Sequence, residues 1–264
     1  MSTIILGYSG FIGKYIYKIL KNKKEVTIGG NSKNCNLLKK KNIKHFFKKK
    51  DNFNLIICSS LVRSKVDTKK SQDNNILMIS NLIEQIKKKK IKKIIFLSSI
   101  DVYSQNGKLI ENRTKTNPKT KYGNYKLLAE KLLKINFPKK KLVILRLTGV
   151  YDHNINGKNM ISYIRRGLKK NFLYIKSSGE ELRDYIHAHD VSIVVHYFIK
   201  KKNFGVFNLA SGVSKKVKYF VNKLNNVNLE KKKILYDNKV QLKDIIVDVK
   251  KLNKLLPISK FRKI

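Results

Sequence analysis

The sequence has no tryptophan, only three prolines and only two cysteines. Cys35 and Cys58 lie far apart in the chain and belong to no metal-ligand pattern. This argues against a disulfide scaffold or a cysteine-ligated metal centre and favours a reducing, cytoplasmic location. No apolar run approaches the ~18 residues of a membrane-spanning helix. Residues 1–3 lack the basic segment of a signal peptide, so we expect none.

Acidic residues are scarce as well: 17 Asp and Glu oppose 60 Lys and Arg, which gives a net charge of +43. A basic chain commonly binds nucleic acid or an anionic membrane. Only seven of these cations are arginine, however, and the lysines are spread in short runs over the whole chain. Nucleic-acid surfaces favour arginine and concentrate charge on one face. The sequence therefore favours a solvated lysine coat that attracts anionic substrates, with a nucleic-acid surface as the alternative.

A strand, a glycine-rich turn and a helix open the chain. The unbroken apolar run Ile4–Leu6 predicts a strand buried on both faces. Glycines at a spacing of three then permit a tight turn, close approach of a pyrophosphate and close packing of helix on strand. The helix amides would receive the phosphates. A simple tight turn is the alternative. The predicted cofactor-binding residues of this segment are Gly7, Gly10, Phe11, Ile12 and Gly13.

Apolar runs and helical periods alternate along the rest of the chain, which predicts an α/β fold with a parallel sheet. We expect a nucleotide-binding domain over 1–150, completed by 184–210, and a smaller substrate-binding region over 151–264. The predicted strands are Glu25–Gly29, Asn42–Phe47, Asn54–Ser60, Lys93–Ser99, Lys141–Leu147, Phe172–Ile175 and Val206–Ala210. The predicted helices are Ile76–Ile86, Thr120–Asn136, Met160–Leu168, Asp190–Lys200, Lys216–Leu224 and Val247–Leu256.

A tyrosine and a lysine lie one helical turn apart in the predicted helix over 120–136. The i, i+4 spacing places Tyr122 and Lys126 on one face, where the ammonium would favour the phenolate and lower the pKa of the tyrosine. Such a pair can exchange a proton with a hydroxyl while a cofactor moves a hydride. Tyr125 lacks this spacing, and we expect Lys126 to face away from it.

Two serines, Ser98 and Ser99, end the predicted strand over 93–99. This edge is where open parallel sheets bind ligands, and a hydroxyl there can hydrogen-bond a substrate oxygen beside the tyrosine. The alternative is a serine that only ends a strand. The order of glycine turn, strand-end serine and Tyr-x-x-x-Lys helix favours a site.

These motifs together resemble the extended short-chain dehydrogenase/reductases, the NAD-dependent epimerase/dehydratase family that acts mainly on nucleotide sugars. GYSGFIG is similar to GxxGxxG, FLSSIDVYS to SS-x-x-VYG, and KYGNYKLLAE to YGxSKxxxE. LRLTGVYD, GEELRDYIHAHDV and FNLASG match further motifs, so the resemblance spans residues 4–212. It implies a Rossmann-type doubly wound parallel sheet with a small C-terminal substrate-binding cap. It also implies Tyr122 as acid/base, Lys126 as its cofactor-ribose partner and Ser99 as the catalytic hydroxyl.

The same resemblance implies several substrate contacts. Arg183 would bind the substrate diphosphate, with a surface ion pair to a neighbouring carboxylate as the alternative. Asp101 would contact the substrate together with Ser99 and Tyr122. Asn75 would brace the site from a helix, or be a surface polar residue. His187 and His189 have metal-like spacing, but the match implies a structural strand end, and no metal is expected.

The sequence departs from the family pattern in four places. No acidic residue follows the second predicted strand, and Asn31, Ser32 and Lys33 stand there instead, which favours NADP modestly over NAD. Ile100-Asp101 replaces the Asp-Glu pair of the dehydratases, so dehydration is disfavoured. Gly149 replaces a common substrate-binding asparagine. The chain is also shorter than typical relatives, which predicts a reduced cap.

The sequence thus predicts a cytoplasmic NAD(P)-dependent oxidoreductase or epimerase that transfers hydride to or from a carbon of a nucleotide-linked sugar. The choice between a keto-sugar reductase and an epimerase stays open. The resemblance suggests a homodimer built on the helices around 76–88 and 120–136. A non-catalytic NAD(P)-binding sensor or an RNA-associated relative is the alternative.

Overall fold

A computed structural model describes residues 2–61, 67–104, 106–155, 157, 159–170, 172–227, 230–262 and 264. The chain divides into two compact units. The first contains residues 1–104, 115–147 and 188–207, and the second contains residues 105–114, 148–187 and 208–264. Among the described residues, no helix combines the length and the hydropathy needed to cross a bilayer.

The first half of the chain alternates strands with helices. In chain order its elements are β1 (Thr3–Leu6), α1 (Phe11–Asn22), β2 (Thr27–Gly30), α2 (Lys40–Phe47), β3 (Phe53–Ile57), α3 (Lys69–Ile86), β4 (Ile91–Ser99), β5 (Leu109–Ile110) and α4 (Lys121–Asn136). A single 3-10 turn, Ile100–Val102, directly follows β4.

The second half has shorter elements. They are β6 (Leu142–Leu147), β7 (Gly149–Tyr151), α5 (Met160–Gly167), β8 (Phe172–Ile175), β9 (Leu182–Arg183), β10 (Tyr185–His187), α6 (Ala188–Lys200), β11 (Gly205–Leu209), β12 (Lys215–Lys216), α7 (Val217–Asn226), β13 (Lys233–Tyr236), β14 (Ile246–Val247) and α8 (Lys250–Asn253). Further 3-10 turns lie at Lys139–Lys141 and Ile258–Lys260.

A six-stranded sheet with the order β11-β6-β4-β3-β1-β2 organises the first unit. The pairs β1–β2, β1–β3, β3–β4 and β4–β6 are all parallel. Strands β1, β3 and β6 are buried along their whole length, as a sheet covered on both faces requires. The α/β prediction with a Rossmann-type parallel sheet is therefore confirmed. The order reverses direction between β1 and β3, and ligands bind at the carboxyl ends of strands at such a point.

One predicted strand is wrong. Asn42–Phe47 was expected to be extended, but it lies within helix α2. Ile43, Phe46 and Phe47 are the buried residues of this helix. They stand at i, i+3 and i+4, which is a helical period, so the burial pattern fits a helix better than a strand.

Two other predicted elements have different bounds. The strand expected to run to Ser60 ends at Ile57, so Cys58, Ser59 and Ser60 lie in the segment beyond β3. The late helix expected over Val247–Leu256 is reduced to the single turn α8, preceded by the two-residue strand β14.

The second unit is built from two-stranded pieces around its own core. Its strand pairs are β10–β7, β12–β9, β13–β8 and β14–β5. Helices α5 and α7 cover a cluster that includes Ile161, Ile164, Phe220 and Val221, all of them buried. The sequence predicts α5, α7 and β8 of this unit but not its strands of two or three residues, which leave no periodic signal.

Two glycines of the first turn differ sharply in the space around them. A Cβ added at Gly13 would lie 2.0 Å from the carbonyl oxygen of Gly7, whereas one added at Gly10 would lie 3.2 Å from that atom. Gly7 itself has φ of +83°. The close packing of α1 on the turn therefore requires the absence of a side chain at Gly13 in particular.

We expect Gly13→Ala to lower the free energy of unfolding by about 1–3 kcal/mol, because helix α1 must move away from the turn. Gly10→Ala is the matched control and should cost about 1 kcal/mol or less, since its neighbour needs to yield by only a few tenths of an ångström. Urea unfolding of both variants measures the difference. Equal losses at the two positions would contradict the packing argument.

Candidate active site

The glycine turn leaves the N-terminus of α1 open to a ligand. Gly10 is the N-cap residue in an extended conformation, and no side chain caps the helix. The first turn of the helix contains no acidic residue, and Phe11 is 38% exposed. Free backbone amides at a helix N-terminus attract anions. The turn therefore fits the pyrophosphate of a dinucleotide, as the sequence predicts, with the helix packed closely at Gly13.

The loop after β2 is shaped by its own asparagines. The side-chain oxygen of Asn31 accepts hydrogen bonds from the backbone amides of Lys33 (2.9 Å) and Asn34 (3.3 Å). In the other direction, the side-chain oxygen of Asn34 accepts a hydrogen bond from the backbone amide of Asn31 at 2.8 Å. Ser32 and Lys33 are exposed at the tip. No carboxylate occurs between Gly29 and Asn34.

Tyr8 joins this loop to the glycine turn, a role that no sequence motif indicates. The side-chain amide of Asn31 lies 3.5 Å from the Tyr8 hydroxyl. A Cβ added at Gly29 would stand 2.5 Å from the Tyr8 ring, so the ring rests directly on that glycine. The small residue at Gly29 thus allows the aromatic ring to lie between turn and loop.

The side chain of Ser99, the last residue of β4, caps the turn that follows the strand. The Ser99 hydroxyl accepts a hydrogen bond from the amide of Asp101 at 3.1 Å, which starts the 3-10 turn. Helix α4 comes very close to this turn. A Cβ added at Gly123 would lie 2.2 Å from the Asp101 carbonyl oxygen. Gly123 therefore brings the first turn of α4 against the strand end, and a glycine inside a predicted helix was the available signal for such a contact.

Two side chains fix the first turn of α4. The Thr120 hydroxyl caps it by accepting from the amide of Gly123 at 2.9 Å. Asp67 accepts from the amide of Tyr122 at 2.9 Å. Backbone amides at this end of a helix lack partners within the helix, so both contacts stabilise it.

Lys126 is 2% exposed and its amine lies over aromatic rings. The Nζ atom donates to the carbonyl oxygen of Leu97 in β4 at 2.6 Å. It stands 4.7 Å from the ring centre of Phe96, 5.2 Å from that of Tyr125 and 5.4 Å from that of Tyr122. The spacing of Tyr122 and Lys126 does bring them together. The expectation that Lys126 faces away from Tyr125 is wrong, because the long side chain reaches above both rings.

Burial controls the charge of both groups. It raises the pKa of Tyr122 to about 12, while the nearby Ser60 side chain lowers it and the charge of Asp101 raises it. Burial lowers the pKa of Lys126 to about 7, although electrostatic interactions with Cys58 and Glu130 act to raise it. The sequence predicted a tyrosine pKa lowered by the neighbouring ammonium. In this structure the pKa of Tyr122 is raised, because desolvation outweighs the other influences.

A buried polar network lies one turn below Lys126 and was not foreseen as a unit. Glu130 is 0% exposed and accepts from Arg146 Nε at 2.9 Å, from Arg146 Nη2 at 2.6 Å and from the Ser98 hydroxyl at 2.6 Å. Arg146 Nη1 also donates to the Tyr103 hydroxyl at 2.6 Å. The network ties α4 to β4 and β6. Ser98 is therefore a structural residue, whereas Ser99 stands at the open end of the strand.

Asn75 of α3 is buried and clamps the backbone beyond β3. Its side-chain oxygen accepts from the amide of Leu61 at 2.7 Å, and its nitrogen donates to the carbonyl oxygen of Leu61 at 3.0 Å. Asn75 is thus not a surface polar residue. It holds the segment that carries Ser60.

In the second unit, Arg183 is half-buried on β9, and its Nη1 donates to the carbonyl oxygens of Leu182 and Lys243, both at 2.8 Å. Among the described residues, its neighbour Asp184 accepts hydrogen bonds from the amides of Ser211 and Gly212 at 2.8 and 2.9 Å rather than from Arg183.

His187 stacks edge-on against Tyr151, with ring centres 5.0 Å apart. No group of three or more His, Cys, Asp or Glu side chains suited to a metal occurs among the described residues.

The low pKa of Lys126 makes stability depend on pH. Between pH 7 and pH 9 the unfolded chain keeps this lysine protonated, since its ordinary pKa is 10.5, while the folded chain has released the proton. The unfolded state then binds more protons, so stability rises with pH by up to about 1.4 kcal/mol per unit.

We expect Lys126→Met to remove this part of the pH slope in urea unfolding of the ligand-free protein. Lys131→Met, at an exposed position of the same helix, is the control and should keep the slope of the parent protein. Other titrating groups are common to all three proteins, so the difference isolates Lys126. An identical slope in Lys126→Met would show that its amine is charged when buried.

The chain matches the model of the NAD dependent epimerase/dehydratase family over residues 3–210. It is 28% identical over 247 residues to an ADP-L-glycero-D-manno-heptose-6-epimerase of Brachyspira hyodysenteriae, covering 79% of this chain and 76% of that protein. The structure resembles a UDP-glucose 4-epimerase of Thermotoga maritima with a TM-score of 0.84 at 21% identity, covering 96% of this chain and 92% of the other. It resembles a dTDP-4-dehydrorhamnose reductase of Clostridium acetobutylicum with a TM-score of 0.83 at 20% identity, covering 97% and 92%.

The family match covers most of the chain and includes the glycine turn, the end of β4 and helix α4. The two structural likenesses, below 25% identity, concern the fold alone. The chain belongs to the NAD dependent epimerase/dehydratase family.

Proposed function

We propose that the protein is an NAD(P)-dependent enzyme that moves a hydride to or from a carbon of a nucleotide-linked sugar. The observation that carries the proposal is the placement of Tyr122 and Lys126 on one face of α4, beside the end of β4. The relative named as a heptose epimerase supports an epimerase. Reduction of a keto sugar is the second candidate, and it is favoured by the absence of a carboxylate after β2, which suits NADP.

In the proposed reaction the bound cofactor supplies the nicotinamide that accepts or gives the hydride. The chain supplies the proton chemistry. Tyr122 takes the proton of the sugar hydroxyl during oxidation and returns it during reduction. Lys126 holds the cofactor ribose and, when protonated, favours the phenolate. The Ser99 hydroxyl orients the sugar oxygen, and Asp101 lies close enough for its charge to act on Tyr122.

The same arrangement argues against a dehydratase. That reaction would need a second acid/base pair after Ser99, and Ile100 there is buried and apolar. Asp101 is the one carboxylate of the pair that remains.

We assign Arg183 to the substrate diphosphate, since its guanidinium is half-buried on β9 and the contacts to Leu182 and Lys243 both use Nη1.

Exposed apolar side chains support the proposed homodimer. Leu77 on α3 and Leu128 and Ile135 on α4 are 46%, 37% and 78% exposed, although the two helices pack against each other in the first unit. Apolar side chains that stay exposed on such a helix pair suit contact with the same helix pair of a second copy of the protein.

The proposed cytoplasmic location rests on two cysteines that are both free.

Tyr122→Phe should reduce turnover by roughly 10²–10⁴-fold, because the proton carrier is removed while the ring stays in place. The affinity for NAD(P)H, measured by cofactor fluorescence, should change by less than about twofold, since the hydroxyl is not assigned to the cofactor. Turnover is measured on a panel of nucleotide sugars. Full activity in Tyr122→Phe would discard the assigned role, and absence of turnover in the parent protein would favour the sensor alternative.

We also propose a modest preference for NADP. Ser32 and Lys33 stand exposed on the loop after β2, and no carboxylate there repels a 2′-phosphate. Lys33→Ala should weaken NADPH binding by about fivefold and leave NADH nearly unchanged, because the exposed ammonium pairs only with the 2′-phosphate. Lys18→Ala, at an exposed position of α1, removes an equal charge as control. Equal losses for the two cofactors would remove the preference.

A further inference from the structure

The end of β2 lies directly beside the glycine turn. The amide of Gly7, the first residue of the turn, donates to the carbonyl oxygen of Gly30, the last residue of β2, at 2.7 Å. When a dinucleotide binds to a sheet of this type, its adenosine ribose meets the end of the second strand, where a carboxylate commonly accepts from the 2′-hydroxyl. This chain has no carboxylate between Gly29 and Asn34. Recognition of the ribose is therefore left to other polar groups.

The side chain of Tyr8 reaches this position from the glycine turn. Its ring lies on Gly29, where an added Cβ would stand 2.5 Å from the ring. It also packs against Tyr17 of α1, with ring centres 5.2 Å apart. Because two neighbours confine the ring, its hydroxyl has a defined place next to the loop after β2.

The loop is held in shape by its own side chains. The Asn34 side-chain nitrogen donates to the carbonyl oxygen of Gly29 at 3.0 Å, and its oxygen accepts from the amide of Asn31. The side-chain oxygen of Asn31 accepts from the amides of Lys33 and Asn34. The nitrogen of the same carboxamide therefore faces the Tyr8 hydroxyl. A loop that is already ordered loses little freedom when it binds a ligand.

The direction of the contact between Asn31 and Tyr8 leaves a proton available. A carboxamide nitrogen can only donate, so the Tyr8 oxygen is the acceptor across the 3.5 Å that separates the two atoms. A tyrosine hydroxyl also has one hydrogen to donate, and this contact does not use it. In the part of the chain that the structure describes, the Tyr8 hydroxyl donates no hydrogen bond. The site thus offers a neutral donor where a carboxylate would offer a charged acceptor.

We infer that Tyr8 is a specificity-determining residue, whose hydroxyl donates a hydrogen bond to the 2′ substituent of the adenosine ribose of the cofactor. The inference deepens the proposed function and rests on its cofactor site. A phosphate oxygen is a charged acceptor and forms a stronger hydrogen bond than a ribose hydroxyl. Tyr8 therefore favours NADP over NAD in the same sense as Lys33, but through a hydrogen bond and without a charge.

NAD⁺ and NADP⁺ differ only in the 2′-phosphate, so their binding, measured by calorimetry, tests this position without any turnover. Tyr8→Phe keeps the ring on Gly29 and should weaken NADP⁺ about tenfold and NAD⁺ by less than about threefold. The matched control is Tyr17→Phe, which removes a hydroxyl from the ring that packs against Tyr8. It should bind both cofactors as the parent protein does.

A second readout uses the parent protein with tyrosine labelled at Cζ. The NMR signal of Tyr8 is identified by its absence in Tyr8→Phe, or in Tyr8→His if the first variant fails to fold. Saturating NADP⁺ should move this signal more than saturating NAD⁺ does, because the phosphate is the stronger acceptor. The signal of Tyr17, identified in the same way, should move less.

The outcomes separate the inference from the proposed function. Equal losses of the two cofactors in Tyr8→Phe, or no loss of either, refute the role of the hydroxyl and leave Tyr8 as a packing residue. The same selective loss in Tyr17→Phe, or a Tyr8 signal that NADP⁺ does not move, also refutes it. A loss selective for NADP⁺ in Tyr8→Phe alone supports the inference. If the parent protein then turns over no nucleotide sugar, hydride transfer is refuted while the assignment of Tyr8 stands.

Discussion

The amine of Lys126 is kept out of water by three aromatic rings and is bonded to one backbone carbonyl of β4. The arrangement of the site depends on this contact. A buried ammonium costs several kcal/mol, and the lowered pKa of Lys126 expresses that cost. The bond to Leu97 fixes which face of α4 meets the sheet. Tyr122, one turn earlier on that face, is thereby held beside the strand end.

The network below Lys126 complements this contact. Glu130 is charged and fully buried, a placement that is costly unless its oxygens are hydrogen-bonded. Arg146 binds it with two nitrogens and Ser98 adds a hydroxyl, so both oxygens have partners. Lys126 sets the rotation of α4 and Glu130 sets its position along β4 and β6. Gly123 then lets the first turn of the helix approach the end of β4.

Much of the first unit was predictable because buried parallel strands and amphipathic helices leave strong periodic signals. The strands β1, β3, β4 and β6 and the helix α4 were all foreseen, and the i, i+4 pair on α4 was recognised as one face. Helix α2 was missed because eight residues give only one helical repeat of apolar side chains, at Ile43, Phe46 and Phe47. In the second unit β8 was predicted but its partner β13 was missed, and the strands of two or three residues are too short to show alternation.

The site was predictable as a set of motifs but not as a set of protonation states. Tyr122 and Lys126 are close, yet burial rather than their mutual attraction determines the pKa of each. Burial depends on the aromatic residue Phe96 and on the segment after β3, which come from other parts of the chain. Tyr8 contacts Asn31 only through the tertiary fold, so no local pattern singled it out.

Burial leaves Tyr122 and Lys126 neutral in the ligand-free protein at a pH of ~8, because the pKa of Tyr122 lies above that value and the pKa of Lys126 below it. On the proposed function, the diphosphate of a nucleotide cofactor adds negative charge to the unit that holds Lys126, and negative charge favours the ammonium. The ammonium in turn favours the phenolate. The site would then hold one cation whose charge depends on the cofactor, and Tyr122 would stay protonated until the cofactor is bound.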